Sequence, residues 1–309
     1  MGRLVDGKWI VSSVITSDDS GAYDRVPRSF LGKVEKGTRH PPESGRYHLY
    51  VSYACPWAHR TLIYRKLKGL EEHISFSVVS PDMLDDGWVF DPSYAGATKD
   101  DLFDFEFLRQ VYTKADPNIS TTVTVPILWD KKEKTIVNNE SSEIIRIFNS
   151  SFNELTGNTD DFYPEKYQSE IDQLNKSIYE NVNNGVYRSG FAKTQETYDA
   201  AVSALFKELD KIENILEGRD FLLGDTLTEA DLRLVPTLLR FDIVYFTHFK
   251  CNVRRIKDYK NLSRYLKKLY EMPAIKETTN FDHIKRHYHY SHDAINPFRI
   301  IPKGPIDII

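Results

Sequence analysis

The sequence predicts two domains of different class, an α/β domain followed by an all-α domain. Three observations carry this. The 309 residues suit two domains better than one. Strand and helix patterns alternate between Tyr47 and Phe152, and from about Pro164 onward strand signals fade while helical periodicity takes over.

The elements follow in order. Residues 1–46 are polar and punctuated by Gly and Pro, so they read as an irregular extension with one short strand near Trp9–Val14. Tyr47–Ser52 alternates and is rich in strand formers. After Cys55-Pro56 the period changes to that of a helix, with Ala58, Leu62, Ile63, Leu67 and Leu70 on one face and Gly69 as its C-cap. Ile74–Val79 completes a strand–helix–strand unit, expected as a right-handed crossover. Residues 81–118 form a long polar and aromatic insertion, a length that inside a compact domain usually serves function. Thr124–Trp129 and Thr135–Val137 read as a hairpin, and a helix with Ile144, Ile145 and Phe148 follows. This order is the thioredoxin arrangement. It places an N-terminal extension at 1–46, a thioredoxin-like domain at 47–152, and an all-helical substrate domain with a C-terminal tail at 164–309. In the helical part, Leu205, Leu209, Ile212 and Leu216 recur at helical spacing, Thr228-Glu-Ala-Asp231 opens a helix, and further helices fit Leu262–Tyr270 and Phe281–His287.

Composition excludes several classes. Forty per cent hydrophobic and 28% charged residues rule out disordered and collagen-like chains. With 41 Lys+Arg against 45 Asp+Glu there is no electrostatic reason to expect a nucleic-acid partner. Charges interrupt Met1–Ser20, so no secretory h-region is read there, and no apolar run reaches the roughly 20 residues of a membrane helix. Two cysteines are too few for a disulfide scaffold, which makes a reducing, cytoplasmic setting the expectation. His283 and His287 have i,i+4 spacing, yet no carboxylate pattern accompanies them. The reading for His283, His287, His289 and His292 is a solvated or substrate-lining cluster, with no metal.

Cys55 is the chemical focus. It stands between a strand and a helix, where free backbone N–H groups and the positive end of the helix dipole converge and favour a thiolate. His59 and Arg60 add positive charge where a helix built for stability would carry Asp or Glu. Ala58 occupies the place of a second sulfur in a Cys-x-x-Cys dithiol, so a reactive Cys55 needs an external thiol for its regeneration. Cys251 has neither a strand-to-helix setting nor a following proline, and is assigned no chemistry. Val125-Pro126 opens a strand, and a cis bond there would turn the Val125 backbone toward the cysteine. Glu140 can receive an ammonium group, while Ser141 and the helix N–H groups can receive a carboxylate, a pair complementary to the γ-glutamyl end of glutathione.

Five stretches carry a resemblance: Cys-Pro-Trp-Ala-His-Arg60, Gly87-Trp-Val-Phe-Asp91, Thr124-Val-Pro126, Val137-Asn-Asn-Glu-Ser-Ser-Glu143 and Asn183-Asn-Gly-Val-Tyr-Arg-Ser-Gly-Phe191. With Ile284-Lys-Arg-His-Tyr288 and Ile295-Asn-Pro297, the chain resembles the glutathionyl-hydroquinone reductases, or Xi-class glutathione transferases, from about Gly32 to Pro305. The resemblance implies a glutathione transferase fold, glutathione as co-substrate, and a homodimer. It also implies Cys55 as catalytic cysteine, Trp88, Val125, Glu140 and Ser141 at the glutathione, and Tyr187 and Tyr288 facing the hydroquinone. One departure stands out: the family commonly has Gly-Arg where this chain has Thr121-Thr122, with that arginine on a glutathione carboxylate. Either glutathione is held more weakly here or another cation substitutes. The implied reaction reduces glutathionyl-hydroquinones to hydroquinones through a Cys55–glutathione mixed disulfide. The alternatives are an omega-like thiol transferase or dehydroascorbate reductase, and a non-catalytic glutathione-binding module.

Overall fold

The structure, a computed structural model, describes residues 1–12, 16–17, 21, 23–24 and 29–305. It divides into two compact units. The first comprises Met1–Val14, Val26–Asp160 and Thr278–Ser291; the second comprises Ile15–Arg25, Asp161–Glu277 and His292–Ile309.

The first unit begins with a hairpin, β1 (Gly2–Val5) against β2 (Lys8–Val11), turning at Asp6-Gly7. The strand expected near Trp9–Val14 is thus β2, with its last two expected residues outside the described ones. The central sheet holds β3 (Tyr47–Val51), β4 (Ile74–Val78), β5 (Ile127–Asp130) and β6 (Thr135–Asn138) in the order β4-β3-β5-β6. β3 pairs in parallel with β4, Tyr47 opposite Ile74, and antiparallel with β5, Tyr47 opposite Asp130. The parallel pair needs a crossover, supplied by α1 (Pro56–Leu67). β3 is buried along its whole length, as a strand covered on both faces must be.

α1 is not the one-faced helix that periodicity suggests. Every residue from Pro56 to Tyr64 is buried, including His59 and Arg60. Their polar groups are met locally: His59 Nε2 is 3.1 Å from Thr278 Oγ1, and the Arg60 guanidinium lies over the Trp57 ring at 4.6 Å. The insertion at 81–118 is not all loop: it contains α2 (Leu108–Ala115). Its apolar stripe is only Leu108, Val111 and Tyr112, too short to stand out among polar neighbours. α3 (Ser141–Ser150) then packs beside α1.

The second unit is helical, with α4 (Gln168–Ile178), α5 (Gly185–Gly190), α6 (Gln195–Ile215), α7 (Glu229–Arg240) and α8 (Lys260–Tyr270). Two five-residue π-helical turns, Tyr179–Asn183 and Phe241–Tyr245, follow α4 and α7. Set beside the helical domain expected at 164–309, this unit also takes in Ile15–Arg25, while α9 (Phe281–Ser291) packs with the first unit. Specific bonds hold it there. Arg286 forks onto Asp82 at 2.7 and 2.8 Å, His287 Nδ1 lies 2.8 Å from the Pro81 carbonyl, and Ser291 Oγ accepts from Met83 N at 3.0 Å. Such long-range polar pairing leaves no trace in periodicity. Among the described residues no helix is long and apolar enough to cross a membrane.

Candidate active site

Cys55 is the N-cap of α1, with φ −77° and ψ 120°, and Pro56 takes the first helical position. Proline has no N–H to leave unpaired there and its fixed φ starts the helix. The Cys55 side chain makes no capping hydrogen bond, and no acidic residue stands in the first turn. The positive end of the helix dipole is therefore left uncompensated beside the sulfur. The half-buried thiol donates to the Val125 carbonyl, with Sγ 3.6 Å from the oxygen. A carbonyl accepts only from a protonated thiol, so this contact is not one a thiolate keeps. Attack as thiolate requires the sulfur to exchange that carbonyl for the first-turn N–H groups.

Val125-Pro126 is cis, and Val125 is buried. The residue before it is fixed by α2: the Tyr112 hydroxyl donates to Thr124 O at 2.9 Å and accepts from Asn139 Nδ2 at 3.2 Å. The tyrosine thereby joins the segment before Pro126 to the loop before α3.

At the start of α3, Glu140 caps the helix. Its Oε1 accepts from Ser142 N and Ser142 Oγ at 3.0 Å and from Ser141 Oγ at 3.3 Å. Asn138 fixes the turn by accepting from Glu140 N at 2.8 Å and donating to Glu143 Oε2 at 2.7 Å. Glu140 and Ser141 thus engage each other, and a carboxylate arriving at the N-terminus of α3 would take the Ser141 hydroxyl from Glu140.

Trp88 is buried and stacks on His287 of α9, with ring centroids 4.9 Å apart and planes 20° apart. Because the Pro81 carbonyl can only accept, His287 donates from Nδ1. Tyr288 is 1% exposed and sits edge-on to His287. Cys55, Trp88, Val125, Glu140, Ser141 and Tyr288 all belong to the first unit, and Tyr187 to the second. Tyr187 is half-buried against Phe191, Tyr245 and Phe249.

The other cysteine contrasts with Cys55. Cys251 is fully buried, and burial pushes its thiol up to about 12. Two of the three histidines of α9 turn to separate carbonyls, His283 to Ala95 and His287 to Pro81. Among the described residues no group of three or more His, Cys, Asp or Glu is placed to hold a metal ion.

Comparison with known proteins settles the family. The glutathione S-transferase N-terminal domain matches residues 54–151, and the glutathione S-transferase C-terminal domain matches residues 195–268. The chain is 53% identical to glutathionyl-hydroquinone reductase YqjG of Escherichia coli (strain K12), over 99% of this chain and 95% of the relative. The chain belongs to the glutathionyl-hydroquinone reductase family, the Xi-class glutathione transferases. Its fold is the glutathione transferase fold, an N-terminal thioredoxin-like domain with a helical C-terminal one. The Xi-class transferase of Phanerochaete chrysosporium superposes with a TM-score of 0.93 at 53% identity, covering 95% of this chain and 96% of that one. The glutathione-bound structure of YqjG superposes with a TM-score of 0.88, covering 98% and 96%.

Tyr112 lies in the helix hidden in the insertion, and no sequence signal points to it. The histidine spacing offers His287 only as one of a solvated or substrate-lining cluster, and its stacking on Trp88 separates it from the rest.

Proposed function

We propose that this chain reduces glutathionyl-hydroquinones to hydroquinones, with Cys55 as nucleophile and glutathione as co-substrate. The observation that carries the reading is Cys55 at the uncapped start of α1, its thiol on Val125 O, in a chain 53% identical to a glutathionyl-hydroquinone reductase. The Cys55 thiolate attacks the glutathione sulfur of the conjugate. A sulfur–sulfur bond forms, the sulfur–carbon bond breaks, and its electron pair passes to the ring carbon, which takes a proton. A second glutathione thiolate then attacks the glutathione sulfur of the mixed disulfide, releasing oxidised glutathione and the Cys55 thiolate. Overall, the thioether sulfur of the conjugate and the sulfur of the second glutathione each give up one electron, the two that the ring carbon gains, and Cys55 is returned unchanged.

Carbon is a poor leaving group, so the first step needs a proton donor and hydrogen bonds to the ring oxygens. Tyr187 and Tyr288 have that role in the proposal. Glutathione is held by the Val125 backbone, by Glu140 and Ser141 at the start of α3, and by Trp88. The absence of a second thiol at Ala58 supports a cycle that borrows one from glutathione. The working form is proposed as a homodimer, which sedimentation equilibrium tests.

Mass spectrometry of Cys55 after incubation with a glutathionyl-hydroquinone tests the chemistry. A glutathione adduct on Cys55 with release of hydroquinone is expected. An unmodified Cys55 in folded protein, or turnover only of glutathione mixed disulfides, refutes the proposal and returns the omega-like thiol transferase.

A further inference from the structure

We propose that Trp9, in the N-terminal hairpin, is a positioning residue for glutathione binding that acts through Trp88. This rests on the reading that Trp88 contacts glutathione. Trp88 follows directly on Asp85-Asp86-Gly87, and that segment is held by two side chains from elsewhere. The Trp9 indole N–H donates to Asp85 O at 2.9 Å. Its ring lies so close over Gly87 that a Cβ there would be 2.9 Å from it, and Gly87 has a φ of +73°. Only glycine meets both demands. Arg109 of α2 completes the grip, donating to Asp86 Oδ1 at 3.0 Å with its guanidinium between the Trp9 ring at 5.0 Å and the Phe107 ring at 3.8 Å.

The same hairpin is anchored at its other strand. Leu4 N and O pair with Thr121 O and N at 2.9 and 3.0 Å, and Gly7 N donates to Ile119 O at 3.0 Å. Residues 119–121 lead directly to Val125-Pro126. The hairpin therefore grips the two segments that carry Trp88 and Val125, and Trp9 is its contact with the first. Across Trp88, His287 supplies the opposite support, at 4.9 Å. Trp9 fixes the backbone just before Trp88, Leu108 N holds the Trp88 carbonyl at 2.9 Å, and α9 supports the indole face. Removing Trp9 frees Asp85 O and opens the space over Gly87, so the segment relaxes there and tilts the Trp88 indole.

The test is calorimetric titration of glutathione into full-length protein carrying Cys55→Ala, which removes covalent chemistry. In that background Trp9→Ala is expected to weaken binding roughly tenfold, short of the about hundredfold that a misplacement of about 1 Å can cost. Trp9→Phe, which loses both the N–H on Asp85 O and the outer ring edge over Gly87, is expected to lose nearly as much affinity as Trp9→Ala. Adding Trp9→Ala to Trp88→Ala produces no further loss, the non-additivity of residues that act as one. Should Trp9→Ala fail to fold, Arg109→Met, which removes the bond to Asp86 and the cation against the Trp9 and Phe107 rings, is expected to give a several-fold loss that Trp88→Ala again abolishes. Unchanged affinity in Trp9→Ala beside a weakened Trp88→Ala overturns the proposal, as does full additivity. A Trp88→Ala protein that binds glutathione normally overturns instead the assignment of Trp88 to the site.

Discussion

Two helix starts in this protein are built in opposite ways. α7 begins at Thr228 with everything satisfied: Asp231 accepts from Thr228 N at 2.9 Å, Thr228 Oγ1 at 3.0 Å, Leu222 N at 2.9 Å and the Tyr265 hydroxyl at 2.9 Å, all of it buried. α1 begins at Cys55 with no cap and no acidic residue. A good N-cap contributes about 1 kcal/mol, and a carboxylate in the first turn adds a few tenths more. α1 forgoes both, and its open N–H groups and unopposed dipole remain for a sulfur anion. The difference separates a helix start that serves stability from one that serves chemistry.

Mutations can test that separation. The largest effect is expected for Cys55→Ser: turnover should fall by roughly a thousandfold or more, since an alcohol is scarcely ionised at neutral pH, while the melting temperature stays within a degree or two. A large loss of stability would place Cys55 among structural residues and break the comparison. Asp231→Ala should do the reverse. It strands the buried N–H groups of Leu222 and Thr228, and at about 1–3 kcal/mol for an unsatisfied group the expected loss is roughly 3 kcal/mol in denaturant unfolding. Turnover per folded molecule should be preserved.

The two cysteines carry the contrast into pH. Cys251 stays protonated in the fold up to about 12, whereas an unfolded thiol ionises near ~8.5. Between these values the unfolded state binds fewer protons than the folded one, so stability falls as pH rises, by up to about 1.4 kcal/mol per unit. Cys251→Ala should flatten the dependence of unfolding free energy on pH above ~8.5; an unchanged slope would show that another group is responsible. In the native protein at pH 8, iodoacetamide should modify Cys55 and spare Cys251, as peptide mapping can check. The smallest effect concerns Thr122. Introducing arginine there, Thr122→Arg, restores the side chain common in the family and is expected to tighten glutathione binding by about fivefold, near 1 kcal/mol for a partly exposed ion pair. Unaltered affinity would mean that another group already occupies the carboxylate.

Much of this was legible in residue order. The strand, Cys-Pro and helix at 47–67 follow from alternation, a proline at the first helical position and helical spacing, all local signals. The cis bond at Val125-Pro126 and the cap at Glu140 lie where single residues dictate local geometry. What escaped depends on distant partners. Helical periodicity cannot tell that α1 is buried on every side, because His59 and Arg60 look like a solvent face until Thr278 and Trp57 are seen beside them. The stacking of His287 on Trp88 spans 199 positions and rests on an ion pair between Arg286 and Asp82. Hairpin residues 1–12 read as a polar extension because the feature that matters, an indole laid over a glycine, has no periodicity at all.

The return of α9 to the first unit has a consequence for how the protein is made. A ribosome delivers Cys55 and the central sheet early, yet the unit that contains them is completed only by residues 278–291. At ~5–20 residues per second, the 131 positions between Asp160 and Ser291 take on the order of ten seconds to synthesise. Throughout that interval the nascent chain presents the Pro81–Met83 surface and the face of Trp88 without the helix that covers them. Cys55 is thus made well before the unit that contains it is complete.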